Sequence, residues 1–255
     1  GVARSNIGAV DLTGSVTGWS PSANGAVNAI AVSGGNVYVG GAFTSVNSTA
    51  RSRLAAVGTD GTLTSWDPNA GSVVYAVAVS GSTVYVGGVF TSLGGQTRQR
   101  VAAIGTDGTL GSLSLTVNGT VWSITTAGNV VYLGGGFTTI AGSARNSLAA
   151  ILTDGTLTSW NPNASGAVLG LLISGSTMHV VGAFDNVVAE PGRFVTSVST
   201  YQVAQTITVT TNAPASAESG DSFTVAATAD SSLPVAITTS GGCTGSGNGS
   251  ATITM

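Results

Sequence analysis

The sequence predicts an all-β protein: successive four-stranded antiparallel sheets stacked face to face, followed by a smaller β domain. Three observations predict it. A strand-and-turn motif recurs every 47 residues, as VYVGGAFTS at 37–45, VYVGGVFTS at 84–92, VYLGGGFTT at 131–139 and, altered, MHVVGAFDN at 178–186. Asp60-Gly61, Asp107-Gly108 and Asp154-Gly155 each stand between apolar runs, and such a pair is a strong hairpin signal because glycine readily takes positive φ. No stretch sustains a 3.6-residue apolar period, so almost no helix is expected.

The register holds through four copies without an insertion. Tyr38, Tyr85 and Tyr132 are followed by His179, and Phe43, Phe90, Phe137 and Phe184 align. Trp19, Trp66 and Trp160 form another column, with Leu113 in their place once. A fifth copy starts one residue late at Arg193 and stops after a single strand.

Four β signals make up each copy. In the second, VVYAVAV (73–79) passes through Ser80-Gly81-Ser82 to TVYVGGVF (83–90). The polar loop TSLGGQTRQ leads to VAAIG (101–105), and Thr106-Asp107-Gly108 turns into a weak strand, TLGSL (109–113). Thr13-Gly14 takes the turn position in the first copy.

The first strand of each copy has one bulky and one small face. Alternate positions read Asn28/Ile30/Val32, Tyr75/Val77/Val79, Trp122/Ile124/Thr126 and Leu169/Leu171/Ile173. The positions between are smaller: Val27/Ala29/Ala31, Val74/Ala76/Ala78, Val121/Ser123/Thr125 and Val168/Gly170/Leu172. Strand side chains alternate in direction, so stacked sheets set bulky residues against small ones. That is the packing of β-propeller blades, and a four-stranded 47-residue unit has the size of one blade.

The pattern V-Y-V-G-G-x-F-T-S, then R-x-x-L-A-A-V-x-T-D-G-T-L-T-S-W-x-P, resembles the Delta-60 type of propeller repeat of bacterial surface proteins. Its layout is similar to kelch repeats. The resemblance covers about residues 3–200. It implies blades at 26–67, 72–114 and 119–161, a fourth from 166, and residues 5–19 as the outer two strands of a preceding blade. On that phase the chain starts part-way through a blade, and it is expected to be a piece of a longer protein.

The expected propeller domain spans 1–202 and a second domain 203–255. From about 206 the register is lost, and TITVTT (206–211), SFTVAAT (222–228), PVAITT (234–239) and SATITM (250–255) alternate as half-buried strands. The segment T-x-T-V-T-T-x-A-P-A-S-A-x-x-G-D-S-F-T-V-A-A-T-A resembles the Ig-like modules of large bacterial surface proteins. Four strands are visible where such a sandwich has about seven, so a truncated Ig-like sandwich is expected. The resemblance implies that Cys243, the single cysteine, pairs with one on a later strand that this sequence does not contain. A reactive free thiol is the alternative, though no basic neighbour lowers its pKa.

Composition narrows the function. The 255 residues are 42% apolar and 7% charged, include 38 glycines and no lysine, and carry a net charge of −3. A disordered chain would be poor in apolar residues, a nucleic-acid binder would be basic, and seven arginines make no polybasic membrane patch. The longest apolar region, 167–184, is interrupted by Gly170, Ser174, Gly175 and Ser176 and reads as two strands, not a membrane span. Low charge with abundant Ser, Thr, Gly and Asn points to a secreted or surface-exposed protein.

Candidate site residues each have a structural alternative. His179, the single histidine, stands in the tyrosine column and reads as structural, without a second ligand for zinc. Asp60, Asp107 and Asp154 head hairpins, so turn chemistry is set against calcium, and no D-x-D-x-D spacing supports the ion. Asp185, Asn186 and Glu190 lie in the most altered copy and are weak candidates for a cation site, with Ca2+ as the ion; loop drift is the alternative. Arg4, Arg51, Arg98 and Arg145 recur once per copy and form an arc on one face. The arc either holds anionic glycans bidentately or braces each blade by bonding loop carbonyls or stacking on tryptophan. Strict periodicity favours bracing, because a binding site breaks symmetry. The Gly-Gly pairs precede no helix and are not phosphate loops. Sequons stand at Asn47, Asn118, Asn163 and Asn248.

No nucleophile, base and metal constellation is visible, and no cofactor is expected. The sequence therefore reads as a non-enzymatic structural or adhesive module of a large secreted or cell-surface protein, in an extracellular stalk, adhesin or filament. Its expected partners are other modules of the same long chain or neighbouring copies, with neither nucleic acid nor membrane insertion. A glycan-binding, lectin-like propeller with surface glycans as partner is the alternative.

Overall fold

A computed structural model describes residues 3–190 and the segments 193–194, 198–199, 207–211, 222–229, 236–238, 246–248 and 250–254, with side chains for 3–188. Among these residues there is no helix, and the strands form several small antiparallel sheets, none closed on itself. Two compact units divide the chain, 1–201 and 202–255.

In the first repeat β1 (Val27–Ser33) turns through Gly34-Gly35 into β2 (Asn36–Gly41); β3 (Ser45–Val46) and β4 (Thr49–Ala50) make a two-residue hairpin, and β5 (Leu54–Gly58) returns to β2. The sheet order is β1-β2-β5. The second repeat follows it with β6 (Val74–Ser80), β7 (Thr83–Gly88), β8 (Ser92–Leu93), β9 (Gln96–Thr97) and β10 (Val101–Gly105). The third has β11 (Val121–Ala127), β12 (Val130–Gly135), β13 (Thr139–Ile140), β14 (Ser143–Ala144) and β15 (Leu148–Leu152). The fourth contains β16 (Asn163–Ala164), β17 (Ala167–Ser174), β18 (Thr177–Ala183), β19 (Val187–Glu190), β20 (Arg193–Phe194) and β21 (Val198–Ser199), in sheets ordered β17-β18-β21 and β16-β19-β20.

The main sheets are three-stranded, which corrects the four-stranded expectation. The expected fourth strand shrinks to single bridges, Val57↔Leu63, Ile104↔Leu110 and Ile151↔Leu157. Thr64 shows why. Its N–H donates to Ala56 O, but Arg51 then donates to its carbonyl and its hydroxyl accepts from Trp66 N–H. The backbone groups that would extend a ladder are thus engaged locally, and Pro68 offers no N–H. Residues 5–19, expected as two strands, contain only the bridge Val10↔Val16. Among the described residues no β2 counterpart stands beside 7–11.

The polar loop TSLGGQTRQ holds the hairpin β8–β9, turned by Gly94 and Gly95 at φ 56° and 76°. Its equivalents turn through Asn47-Ser48 and Ala141-Gly142, again at positive φ.

A β-bulge at the start of each first strand also shifts the expected faces. The register slips between Val27/Ala29, Val74/Ala76, Val121/Ser123 and Val168/Gly170. The extra residue, Asn28, Tyr75, Trp122 or Leu169, leaves the bulky column, and the valine before it joins that column. Val74 and Val77 consequently both press on Gly40 of the preceding sheet, where a Cβ would lie 2.6 and 2.8 Å from their methyls. Gly87 receives Val121 and Ile124 in the same way, and Gly134 receives Val168 and Leu171. Ala29 and Ala31 complete the small face against Val77 and Val79. Tyr38, Phe43, Phe90, Tyr132 and Phe137 are buried in the resulting cores, whereas Phe184 is only half-buried.

Val181 occupies the fourth copy's position equivalent to Gly40, Gly87 and Gly134, and lies over its cross-strand partner Gly170. Leu172 stands where Ala31 and Ala78 do. Leu172 and Val181 are 66% and 63% exposed, and Ile30 and Val32 on the first sheet are 55% and 65% exposed. The two end faces therefore do not cover each other.

In the second unit, β22 (Ile207–Thr211), β23 (Ser222–Ala229) and β26 (Ser250–Thr254) form a sheet ordered β22-β23-β26. A separate pair, β24 (Ala236–Thr238) and β25 (Ser246–Asn248), stands beside no third strand in that order. Cys243 lies outside the described residues.

Candidate functional site

The arginine column repeats one bonding scheme four times. Arg51 Nη2 donates to Thr64 O at 2.7 Å and Nη1 to Ala50 O at 2.8 Å. Arg4 bonds Thr17 O and Ala3 O, Arg98 bonds Gly111 O and Thr97 O, and Arg145 bonds Thr158 O and Ala144 O. Each guanidinium thus ties the loop before β5, or its equivalent, to the end of the same repeat. In all four the Nε–H is buried without a partner. An anion approaching from solvent cannot form the Nε/Nη2 fork that makes arginine selective for carboxylates. Arg51 also faces Asp67 at 3.8 Å, a half-exposed pair of small energetic weight.

A second column escaped the sequence reading. Asn6, Arg53, Arg100 and Ser147 hold φ of 64°, 66°, 67° and 62°. Asn6 Nδ2 donates to Ala23 O, Arg53 Nη1 to Ala70 O and Arg100 Nη1 to Val117 O. These side chains span from one repeat to the start of the next. Residue type varies down the column, so periodicity alone did not mark it; R-x-R at 51–53 and 98–100 was the available signal.

The hairpin aspartates serve their own turns. Asp60 Oδ1 accepts from Thr62 N–H and Oγ1–H at 2.9 and 2.7 Å, and Asp107 repeats this with Thr109. Asp154 accepts from Thr156 N–H at 2.8 Å. The threonine hydroxyl holds the Asp60 and Asp107 carboxyls below their ordinary pKa, and the Thr156 amide does so for Asp154.

The other candidates are not gathered into one place. His179 is exposed, unlike Tyr38, Tyr85 and Tyr132. Asp185 and Asn186 present their N–H groups to Ser165 Oγ at 2.9 and 3.2 Å; the Glu190 side chain lies outside the described ones. Among the described residues no three His, Cys, Asp or Glu side chains group as metal ligands. Of the sequons, Asn47 accepts from Ser22 N–H, and Asn118 accepts from Thr138 and Thr139 N–H, so both amides are tied into turns.

The tryptophan column joins consecutive repeats. Trp19 Nε1 donates to Gly58 O at 2.8 Å and Trp66 Nε1 to Gly105 O at 2.9 Å, each a carbonyl of the next repeat. Tyr38 and Trp66 meet edge to face with centroids 5.1 Å apart, and Tyr132 and Trp160 at 5.2 Å. The second repeat departs from this. Leu113 replaces tryptophan and Gly111 replaces the threonine found at 17, 64 and 158. An open groove of about 450 Å³ lies over this place, lined mainly by Ser82, Thr83, Thr106, Asp107, Thr109, Ser112 and Thr153, with Tyr85, Ala103 and Leu113 themselves buried beneath it. Burial pushes the Tyr85 phenol up, against a hydrogen bond with Thr83.

No protein-family model matches the chain, and no curated protein matches it. Among solved structures it is similar to the computationally designed Ika4 protein, at 16% identity and a TM-score of 0.44, over 69% of this chain and 92% of that one. It is also similar to the computationally designed Ika8 protein, at 14% identity and a TM-score of 0.33, over 90% of this chain and 96% of that one.

Proposed function

We propose that the stacked sheets of the first unit are consecutive β-propeller blades, that the second unit is an Ig-like module, and that the chain is a non-enzymatic structural or adhesive module of a large secreted or cell-surface protein. The observation that carries this reading is the repeated use of the same polar side chains inside their own repeat. Arg4, Arg51, Arg98 and Arg145 donate inward to backbone carbonyls. Asp60, Asp107 and Asp154 bond the residue two positions ahead. Side chains spent on fixing the backbone in this way serve the shape of a spacer, and adhesion through many such modules gains strength from multiplicity. Other modules of the same chain, or neighbouring copies, are its partners.

Antibody labelling of intact source cells, followed by mass determination of the labelled polypeptide, tests the reading. Surface labelling of a polypeptide much longer than 255 residues is expected. A cytoplasmic protein, or turnover of a defined substrate by the purified chain, would show the proposal to be wrong.

A further inference from the structure

We propose that the apolar groove between residues 7–19 and β1 is a docking site for a β-hairpin of the β1–β2 kind, presented by a separate polypeptide. Residues 3–19 carry the second half of a repeat. Arg4 ties its loop to Thr17, Trp19 donates to Gly58 of the next repeat, and Asp11 bonds Thr13 in its turn. Arg51, Trp66 and Asp60 do the same one repeat later. What the later repeats have in addition is a hairpin, β1–β2, β6–β7 or β11–β12, whose second strand pairs with β5, β10 or β15. Among the described residues no such hairpin stands beside 7–11. The surfaces that it would cover are open. Val10 is 66% exposed where Val57, Ile104 and Ile151 are fully buried, and Ile30 is 55% exposed where Val77 and Ile124 are 8% exposed.

These surfaces meet in a groove of about 460 Å³ lined by Gly8, Ala9, Thr17, Trp19, Ile30 and Val32. Three features define what fits it. Ala9 O and the Asp11 N–H are turned to Thr17 and Ser15. By the alternation of an antiparallel strand, the N–H and C=O of Gly8 and Val10 face the opposite way, an open edge to which another strand can add. Trp19 is only half-buried and lacks the tyrosine on which Trp66 and Trp160 stand edge to face, so the added strand brings a tyrosine. Val27 and Ile30 stand where Val74 and Val77 press on Gly40, so the strand needs glycine two positions after that tyrosine. The sequence Val-Tyr-Val-Gly-Gly, as at 84–88, meets all three conditions. A second copy does not supply it from its uncovered end, where β18 has exposed His179 for the tyrosine and Val181 for the glycine. Its fitting hairpins are already stacked on one another. The occupant is therefore a like hairpin of a different polypeptide. The site follows from how the repeats stack and does not depend on where the protein resides.

The probe is a fluorescein-labelled peptide with the sequence of residues 73–90, titrated with the full chain and read by anisotropy. Saturable binding is expected, together with slowed hydrogen exchange at the Gly8 and Val10 amides. Gly87→Val in the peptide should weaken binding by about tenfold or more, because it overpacks the contact with Val27 and Ile30. Ile30→Asp in the chain should weaken it similarly; should that variant fail to fold, Val32→Asp at the neighbouring exposed position takes its place. No saturable binding, binding without protection of Gly8 and Val10, or equal binding by the altered peptide or a folded variant would overturn the assignment. Self-association of the chain without peptide, lost in Ile30→Asp, would give the groove to a second copy. A longer polypeptide from the source that does not take up the peptide would give it to that polypeptide's own residues. Either result overturns the assignment to a separate partner.

Discussion

Gly40 lies so close under Val74 of the next sheet that a Cβ there would stand 2.6 Å from Val74 Cγ1. Gly87 stands in the same relation to Val121, at 2.6 Å, and Gly134 to Val168, at 2.8 Å. The distance between adjacent sheets is thus set by the absence of one carbon. Gly40→Ala and Gly87→Ala should each destabilise the first unit by roughly 1–3 kcal/mol, the ordinary penalty of overpacking. Urea unfolding followed by tryptophan fluorescence measures it, and paired Gly40→Ala/Val74→Ala should recover part of the loss.

Arg51→Ala or Arg98→Ala should lower stability by an amount on the order of 1 kcal/mol. Two carbonyl bonds are lost, but a buried Nε–H without a partner is removed with them. Thermal melts with and without an acidic polysaccharide check this. Unchanged stability together with lost polysaccharide binding would instead make the arginine arc a glycan site.

Arg53 donates across to Ala70 from a backbone at φ 66°. Asn6 shows that asparagine serves at the same position, with its own bond to Ala23. Arg53→Asn should therefore be mild. Arg53→Val should cost roughly 1–2 kcal/mol from the left-handed backbone alone, read as a difference in urea midpoint between the two variants.

Acid should weaken the first unit through its turns. The folded pKa values of Asp60, Asp107 and Asp154 are depressed by bonds to threonine hydroxyls and amides. The unfolded chain then binds protons more readily, so the contribution is complete above the ordinary carboxylate pKa of about 4 and fades as pH falls through the depressed folded values. All three carboxyls are fully exposed, so the effect is modest. Tm measured from neutral pH downward should fall more steeply in the native chain than in the triple Asp→Asn variant.

The strands that carry the sheets were legible because two signals coincide: alternation of side chains, and glycine at the turns. The bulge was not, since inserting one residue reverses the faces beyond it without altering composition; the valine column at 27, 74, 121 and 168 was its trace. The fourth strand was overread because Thr-Leu-Thr-Ser-Trp alternates like a strand, while the arginine that ends its pairing lies 13 residues earlier, at Arg51 for Thr64. Leu113 and Gly111 are both readable as departures from the tryptophan and threonine columns, but the groove above them depends on how the repeats pack. Periodicity reveals what recurs, and Asn6, Arg53, Arg100 and Ser147 share a conformation without sharing a residue type.

Val181 gives the stack a direction. A pile of like sheets with a knob face at one end and a matching socket at the other meets its own kind head to tail, and such heterologous contacts do not close. Here the knob face, with Ile30 and Val32, is open, but the socket at the other end is filled by Val181 and filled further by Leu172. Val181→Gly/Leu172→Ala should restore it, and sedimentation velocity should then show association that grows with concentration and disappears when Ile30→Asp is added. An isopropyl group in place of a hydrogen thus acts as a stopper on this face, barring the Ile30 and Val32 face of another copy from seating on it as Val74 and Val77 seat on Gly40.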